Sequence, residues 1–359
     1  MSTFTIIADK VKAGQRLTED DALALYASND LLAIGELAAL VNERKSGRRV
    51  YFNVNRHINP TNVCVNRCVF CAFSRTGDAD DAYTLTRDEM VRRAVEAQAQ
   101  GATEVHLVGG LHPDLTFGFY LELLSAIRDA APALHIKAFT AVELDWFASI
   151  SGLTVQQVLE RLMAAGLGSM PGGGAEILVE GVRRQICPEK ISGQRWLDIH
   201  RLAHQAGLKT NCTMLYGHLE SHADRVRHMA MLRELQDQTG GFQVFIPLAW
   251  QPDNSPLKLD VTGTSGLDDL KTLAIARLFL DNIPHLKAYW VMLGEKIAQV
   301  ALSFGVDDLD GTVVEEKIGH DAGARSPQSL SLERIIHLIR LAGKQPVERD
   351  TLYRPLRSF

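Results

Sequence analysis

The stretch TEVHLVGGLHPDLTFGFYLELLSAIRDAAPALHIKAFT, residues 103–140, decides the fold. Its first eight residues read as a strand ending in Gly109-Gly110, a pair suited to a tight turn. FGFYLELLSAIRDA (117–130) then reads as a helix and HIKAFT (135–140) as a second strand. Strand, helix and strand of these lengths make a βαβ unit, whose two strands run parallel.

The same unit recurs in both directions. Upstream, YFNVNRHI (51–58) reads as a strand and TRDEMVRRAVEAQAQG (86–101) as a helix. That helix has Met90, Val91, Ala94 and Val95 at helical spacing, a Thr86/Glu89 capping box and Gly101 as its stop. Downstream, TVQQVLERLMAAG (154–166) is a helix with Val155, Val158, Leu159 and Leu162 on one face. GSMPGGG (168–174), KTNCTMLYG (209–217), FQVFIPLA (242–249) and HLKAYWVML (285–293) read as later strands, with a weaker eighth near Gly305–Asp310. The expectation is an α/β fold, a TIM-type (β/α) barrel of parallel strands over residues 49–312. About 250 residues is the usual size of such a barrel. Helical extensions are expected at 1–48 and at 313–359, the latter with a helix around SLERIIHLIRLAG (331–343). A doubly wound open sheet is the alternative, but the first βα turn has no G-x-G-x-x-G.

Composition narrows the class. The chain has 359 residues, 46% hydrophobic, with a formal net charge of −5, so there is no basic footprint for nucleic acid. The opening MSTFTIIADKVKAGQR lacks the apolar run of a signal peptide. LLAIGELAALV (31–41) is broken by Glu36 and too short to span a membrane. A cytoplasmic protein with no membrane partner is expected. Five cysteines, an odd number, do not make a disulfide framework.

Three of the five, Cys64, Cys68 and Cys71, stand in C-x3-C-x2-C directly after the first strand, where a barrel places its active-site loops. A structural zinc site would need a fourth ligand, and so would an iron–sulfur electron carrier. Cys187 and Cys212 are isolated and read as ordinary core or loop residues. A cluster on three thiolates leaves one iron open, and an open metal position is where catalysis happens. Other candidates face the same rim. Glu143 follows HIKAFT, and Glu176 lies in PGGGAEIL (171–178), which has no G-K-[ST] and so is no phosphate loop. Arg56, His57, Arg75 and Lys137 offer positive charge to an anionic substrate. His200 and His204, at i and i+4, read as exposed residues on an outer helix.

The cysteine spacing, with aromatic Phe70 in its last interval, resembles the signature of radical S-adenosylmethionine (SAM) enzymes. The resemblance implies a [4Fe–4S] cluster on Cys64, Cys68 and Cys71, with S-adenosylmethionine on the open iron and an electron donor such as flavodoxin or ferredoxin. It also implies Phe70 against the adenine, Gly109 and Gly110 near the methionyl amino group, Glu176 at the ribose and Arg183 at the methionyl carboxylate. His57 and Glu143 are the catalytic candidates.

RHINPTNVCVNRCVFCAFSR (56–75), VGGLHPDL (108–115), HIKAFTAVEL (135–144) and MPGGGAEIL (170–178) together are similar to the menaquinone (futalosine-pathway) branch. That branch holds the aminofutalosine synthases and the dehypoxanthine futalosine cyclases, with deazaflavin-forming synthases as cousins. Pro60, and MPGGGAEI ahead of VRRQICPEK (182–190), resemble the synthases more than the cyclases, while Val179-Glu180-Gly181 matches neither. The synthase likeness implies a small-molecule substrate, the chorismate-derived enol ether 3-[(1-carboxyvinyl)oxy]benzoate. The adenosyl group of SAM, a co-substrate, would add to it, with rearrangement and decarboxylation to 6-amino-6-deoxyfutalosine.

Overall fold

Three helices, Thr3–Lys12, Glu19–Ala27 and Leu31–Ser46, open the chain. The computed structural model describes residues 3–257 and 263–359. The strands are β1 (Arg49–Asn53), β2 (Asn55–Ile58), β3 (Glu104–Leu107), β4 (His135–Ala138), β5 (Ser169–Met170), β6 (Lys209–Tyr216), β7 (Phe242–Ala249) and β8 (His285–Leu286), followed by β9 (Asp308–Gly311), β10 (Gln345–Arg349) and β11 (Pro355–Ser358). β2 to β8 form one seven-stranded parallel sheet in sequence order. The sheet curls into a partial barrel, because His57 on its first strand and Lys287 just past its last line the same cavity.

Alternation along each strand divides the residues between two environments. On β3, Val105 and Leu107 are fully buried in the core, while Glu104 and His106 lie on the other face. Helices Arg87–Ala99, Phe117–Ala130 and Val155–Ala165 cover the outer face. Their caps follow the sequence: Thr86, Thr116 and Thr154 each accept a backbone N–H of the first turn. The expected Thr86/Glu89 box is only half made, since Glu89 turns to Arg93 one turn on, at 2.6 Å.

Several strands differ from their sequence reading. YFNVNRHI breaks at Val54, because β1 joins a second sheet of order β11-β10-β1-β9. The weaker strand near 305–310 exists as β9 but ladders with β1, and its backbone pairs with the end of β8 through an isolated Lys287–Asp308 bridge. HLKAYWVML holds a two-residue strand before the helix Trp290–Ala301 begins, and GSMPGGG leaves the sheet after Met170 as its glycines turn away. The C-terminal extension has the expected helix, Leu332–Leu341, but is not only helical: β10 runs parallel to β1 and β11 folds back on β10. Among the described residues no helix is long and apolar enough to cross a membrane.

Candidate active site

The loop after β2 is built by its polar residues. Thr61 Oγ1 accepts the Val63 N–H at 3.0 Å and donates to the Tyr83 carbonyl at 2.7 Å. Asn62 is clamped on both sides, donating to the Asp81 carbonyl at 2.9 Å and accepting the Tyr83 N–H at 2.8 Å. Asn59 donates to the Val108 carbonyl at 2.8 Å. The Asn-Pro-Thr-Asn run therefore braces the cysteine loop against its neighbours.

The loop is also stitched to the end of β3. Gly110 N–H donates to the Thr61 carbonyl and Val65 N–H to the Leu111 carbonyl, both at 2.9 Å. A Cβ on Gly110 would lie 2.8 Å from the Val63 carbonyl carbon and 3.1 Å from Cys64 Cβ, so only glycine permits this approach. On the other side, Val69 N–H donates to the Ile186 carbonyl at 2.9 Å.

Cys64, Cys68 and Cys71 open on one cavity of about 290 Å³ at the C-terminal ends of the strands. Burial pushes the Cys68 thiol up to about 12 and raises Cys64 as well. Cys187 and Cys212 are buried and do not line the cavity. Among the described residues no three His, Cys, Asp or Glu side chains converge on one point as a single-ion cage would require. A four-iron cluster makes no such demand, because each thiolate holds its own iron. Three thiols on one loop facing one cavity fit that group.

Opposite the cysteines lies the loop Pro171–Glu176. Gly172 packs on the backbone of β6, where a Cβ would come within 2.7 Å of Cys212 Cα. Arg183, 1% exposed, donates to the carbonyls of Gly174, Ala175 and Ile191 at 2.6–2.9 Å. It does not line the cavity, and its Nε and both Nη atoms already donate to these carbonyls, so the expected contact with a methionyl carboxylate finds no support in this geometry. The cation beside Glu176 is instead Lys190, at 2.5 Å, standing 5.2 Å from the centre of the Phe70 ring. Burial alone would raise Glu176, yet Lys190 holds it below the ordinary carboxylate range. Sequence reasoning missed Lys190 because its partner lies fourteen residues away across a short helix.

Glu143 is the N3 residue of the helix Ala141–Ser151. One carboxylate oxygen accepts from Thr140 N–H and Oγ1 at 2.7 and 2.8 Å, the other from Gly109 N–H at 3.2 Å. Burial raises it to about 7, with those three donors opposing. The folded state thus holds its proton more tightly than the unfolded chain, so Glu143 contributes stability that is lost as pH rises from about 4.5 through 7. Replacing it by Gln should flatten urea-midpoint stability over that window; an unchanged slope would show an ordinary carboxyl.

Of the four cations proposed for an anionic substrate, two serve elsewhere. Arg56 points outward to Glu315 at 2.8 Å, because alternation on β2 turns it away from His57, and Arg75, in the loop after β2, pairs with Asp81 at 2.8 Å. His57 and Lys137 do line the cavity, joined by His106, Asn211, Lys287 and Asp310, which the sequence reading did not select. The polar alternation Glu104-x-His106 could have flagged His106. His200 is not exposed: it is fully buried, and His200 and His204 share Thr210 Oγ1 at 2.9 and 2.8 Å.

Two family models match the chain: the radical SAM superfamily over residues 58–232, and the CofH/MqnC C-terminal region over 239–358. The chain is 48% identical to the aminodeoxyfutalosine synthase of Thermus thermophilus, covering 98% of this chain and 96% of that protein. It is 46% identical to the 5-amino-6-(D-ribitylamino)uracil–L-tyrosine 4-hydroxyphenyl transferase of Methanopyrus kandleri, over 87% of this chain and 86% of that protein. In fold it resembles the FeFe-hydrogenase maturase HydG of Carboxydothermus hydrogenoformans, with a TM-score of 0.77 at 19% identity, over 98% of this chain and 80% of that one.

Proposed function

The chain belongs to the radical SAM superfamily, and on that premise we propose that it is an aminodeoxyfutalosine synthase of menaquinone formation. In this reading the adenosyl unit of SAM adds to the vinyl carbon of 3-[(1-carboxyvinyl)oxy]benzoate. Rearrangement and loss of carbon dioxide then give 6-amino-6-deoxyfutalosine, and methionine leaves. The observation that carries the reading is the set of three thiols on one loop, opening on one small-molecule cavity that neither Cys187 nor Cys212 lines. The choice of the synthase is supported by 48% identity to the Thermus thermophilus synthase, against 40% to the cyclic dehypoxanthine futalosine synthase of Streptomyces coelicolor, each over 98% of this chain.

Cys64, Cys68 and Cys71 would hold the [4Fe–4S] cluster. When bound, a cluster with an open iron supplies the electron that splits SAM into methionine and a deoxyadenosyl radical. The chain's own residues bind and orient. Phe70 offers its face to the adenine, and the Lys190-anchored Glu176 offers an acceptor to the ribose hydroxyls. Gly109 and Gly110 let the methionyl end approach backbone, while Glu143 fixes the Gly109 N–H. Arg183 is a positioning residue that keeps the Gly174–Ala175 backbone in place. Leu215, Ile246 and Leu248 give the cavity an apolar wall that keeps water from the bound substrate. The reductant would be a small donor protein such as flavodoxin or ferredoxin, met in the cytoplasm.

Paired anaerobic incubations test the assignment. Given the enol ether, the reconstituted protein should form an adenosyl-containing product, with one carbon dioxide per methionine. Given dehypoxanthine futalosine, it should form no cyclised product. Mass spectrometry of the nucleosides reads both. Cyclised product with free 5′-deoxyadenosine, and no adduct from the enol ether, would reassign the chain to the cyclase.

A further inference from the structure

The cavity has a second polar group of side chains, set inside the sheet and away from the cysteine loop. In the parallel ladders His57 on β2 pairs with His106 on β3, and His106 with Lys137 on β4. Alternation puts all three on the inner face, in one tier. Lys287, just past β8, closes the tier from the far side.

Each member still has donors to give. His57 is only 6% exposed, and its Nε2 and that of His106 have no hydrogen-bond partner. The two rings meet edge to face with centroids 4.6 Å apart, so the nitrogens belong to one small volume. Burial keeps both imidazoles below their usual range, and neutral imidazoles can donate from Nε2. Lys287 gives one proton to Asp310 at 2.8 Å, while Asp308 at 3.9 Å is beyond hydrogen-bond reach. Lys137 is paired with Glu104 at 2.5 Å. An ammonium has three donors, so each lysine keeps protons beyond its carboxylate. Asp310 is itself fixed in place, with a left-handed backbone at φ 69° and its N–H held by Asp308 at 2.6 Å.

Donors from two imidazoles and two ammoniums, beside the apolar wall of Ile246 and Leu248, match a carboxylate on a flat ring. We propose that His57, His106, Lys137 and Lys287 seat the ring carboxylate of an aryl substrate. The assignment of that substrate as the benzoate enol ether rests on the function proposed above. The vinyl group must meet the adenosyl unit at the cysteine end. The ring carboxylate sits at the opposite end of the molecule and therefore goes to the tier.

The test uses His106→Leu and Lys287→Met in the reconstituted enzyme, with 3-hydroxybenzoate and phenol as calorimetric probes. Wild type should bind the carboxylate probe at least about 100-fold more tightly than phenol, as a buried site built to donate to an anion does. Each variant should lose about tenfold or more of that preference while SAM affinity stays unchanged. In turnover, the enol ether should lose its advantage over 2-phenoxyacrylate, which lacks the ring carboxylate, mainly through KM. If Lys287→Met does not fold, His106→Leu alone decides. Wild-type preference in a folded His106→Leu variant overturns the proposal. Should wild type turn over no enol ether, the proposed function falls, while carboxylate binding lost in the variants would still support the tier.

Discussion

Cys68→Ala is expected to leave a folded protein with no iron–sulfur cluster and no turnover. Two thiolates cannot hold three irons of a cubane. The same result is expected for Cys64→Ala and Cys71→Ala. The cost to the fold should be small, since removing one sulfur from a loop packed at the cavity edge loses about 1 kcal/mol of burial. Cys187→Ala and Cys212→Ala should keep the full iron content, because both thiols lie outside the cavity wall. Iron and sulfide analysis after anaerobic reconstitution, with EPR of the reduced protein, reads the outcome. Burial holds Cys68 and Cys64 protonated in the cluster-free chain, so loading must release protons. A stoichiometric cluster in Cys68→Ala, or its loss in Cys187→Ala, would move the ligand set.

Gly110→Ala should be nearly as damaging, although it touches no sulfur. The added methyl falls 2.8 Å from the Val63 carbonyl carbon and 3.1 Å from Cys64 Cβ. One of these contacts is backbone, so the loop has to move rather than a side chain rotate. That movement strains the Gly110–Thr61 and Val65–Leu111 hydrogen bonds that set the height of Cys64 above β3. Overpacking of this kind costs about 1–3 kcal/mol. The larger consequence is positional: cluster occupancy should fall at least about tenfold, because misplaced ligands lose affinity steeply. Gly118→Ala is the matched control, since its nearest contact would be Thr116 Oγ1 at 3.6 Å, within the helix Phe117–Ala130. There the added methyl should stabilise slightly, by up to about 1 kcal/mol. Urea midpoints and iron content of the two variants together make the test. Wild-type iron in Gly110→Ala would mean that the loop is free to shift.

Glu143 lines the cavity, but its bonds go beyond what its local sequence announces. Its position after HIKAFT put it at the cavity rim, where it lies. The same Thr140-x-x-Glu143 pattern is a capping box, and the structure uses it as one. The added bond to Gly109 joins two segments 34 residues apart, which no local pattern announces.

The sequence by itself determined what depends on neighbours along the chain. Period and punctuation located the helices and the run of parallel strands, and the Cys64, Cys68 and Cys71 spacing put three thiols on one loop. Hydrophobic period did not sort inner from outer faces: adjacent Arg56 and His57 on β2 were both expected at the cavity, and only His57 lines it. Only the tertiary structure decided which polar groups share the cavity. Arg183 and Lys190 lie seven residues apart with the same charge, yet one, off the cavity wall, donates to three backbone carbonyls and the other reaches Glu176. Lys287 and Asp310, separated by 23 residues, meet only because β9 is carried beside the end of β8 by its pairing with β1. His57, His106 and Lys137 form a tier only because two ladders bring three strands into one register. Register is a property of pairing between distant segments, and shifting it by one residue would turn each of these side chains toward the helices.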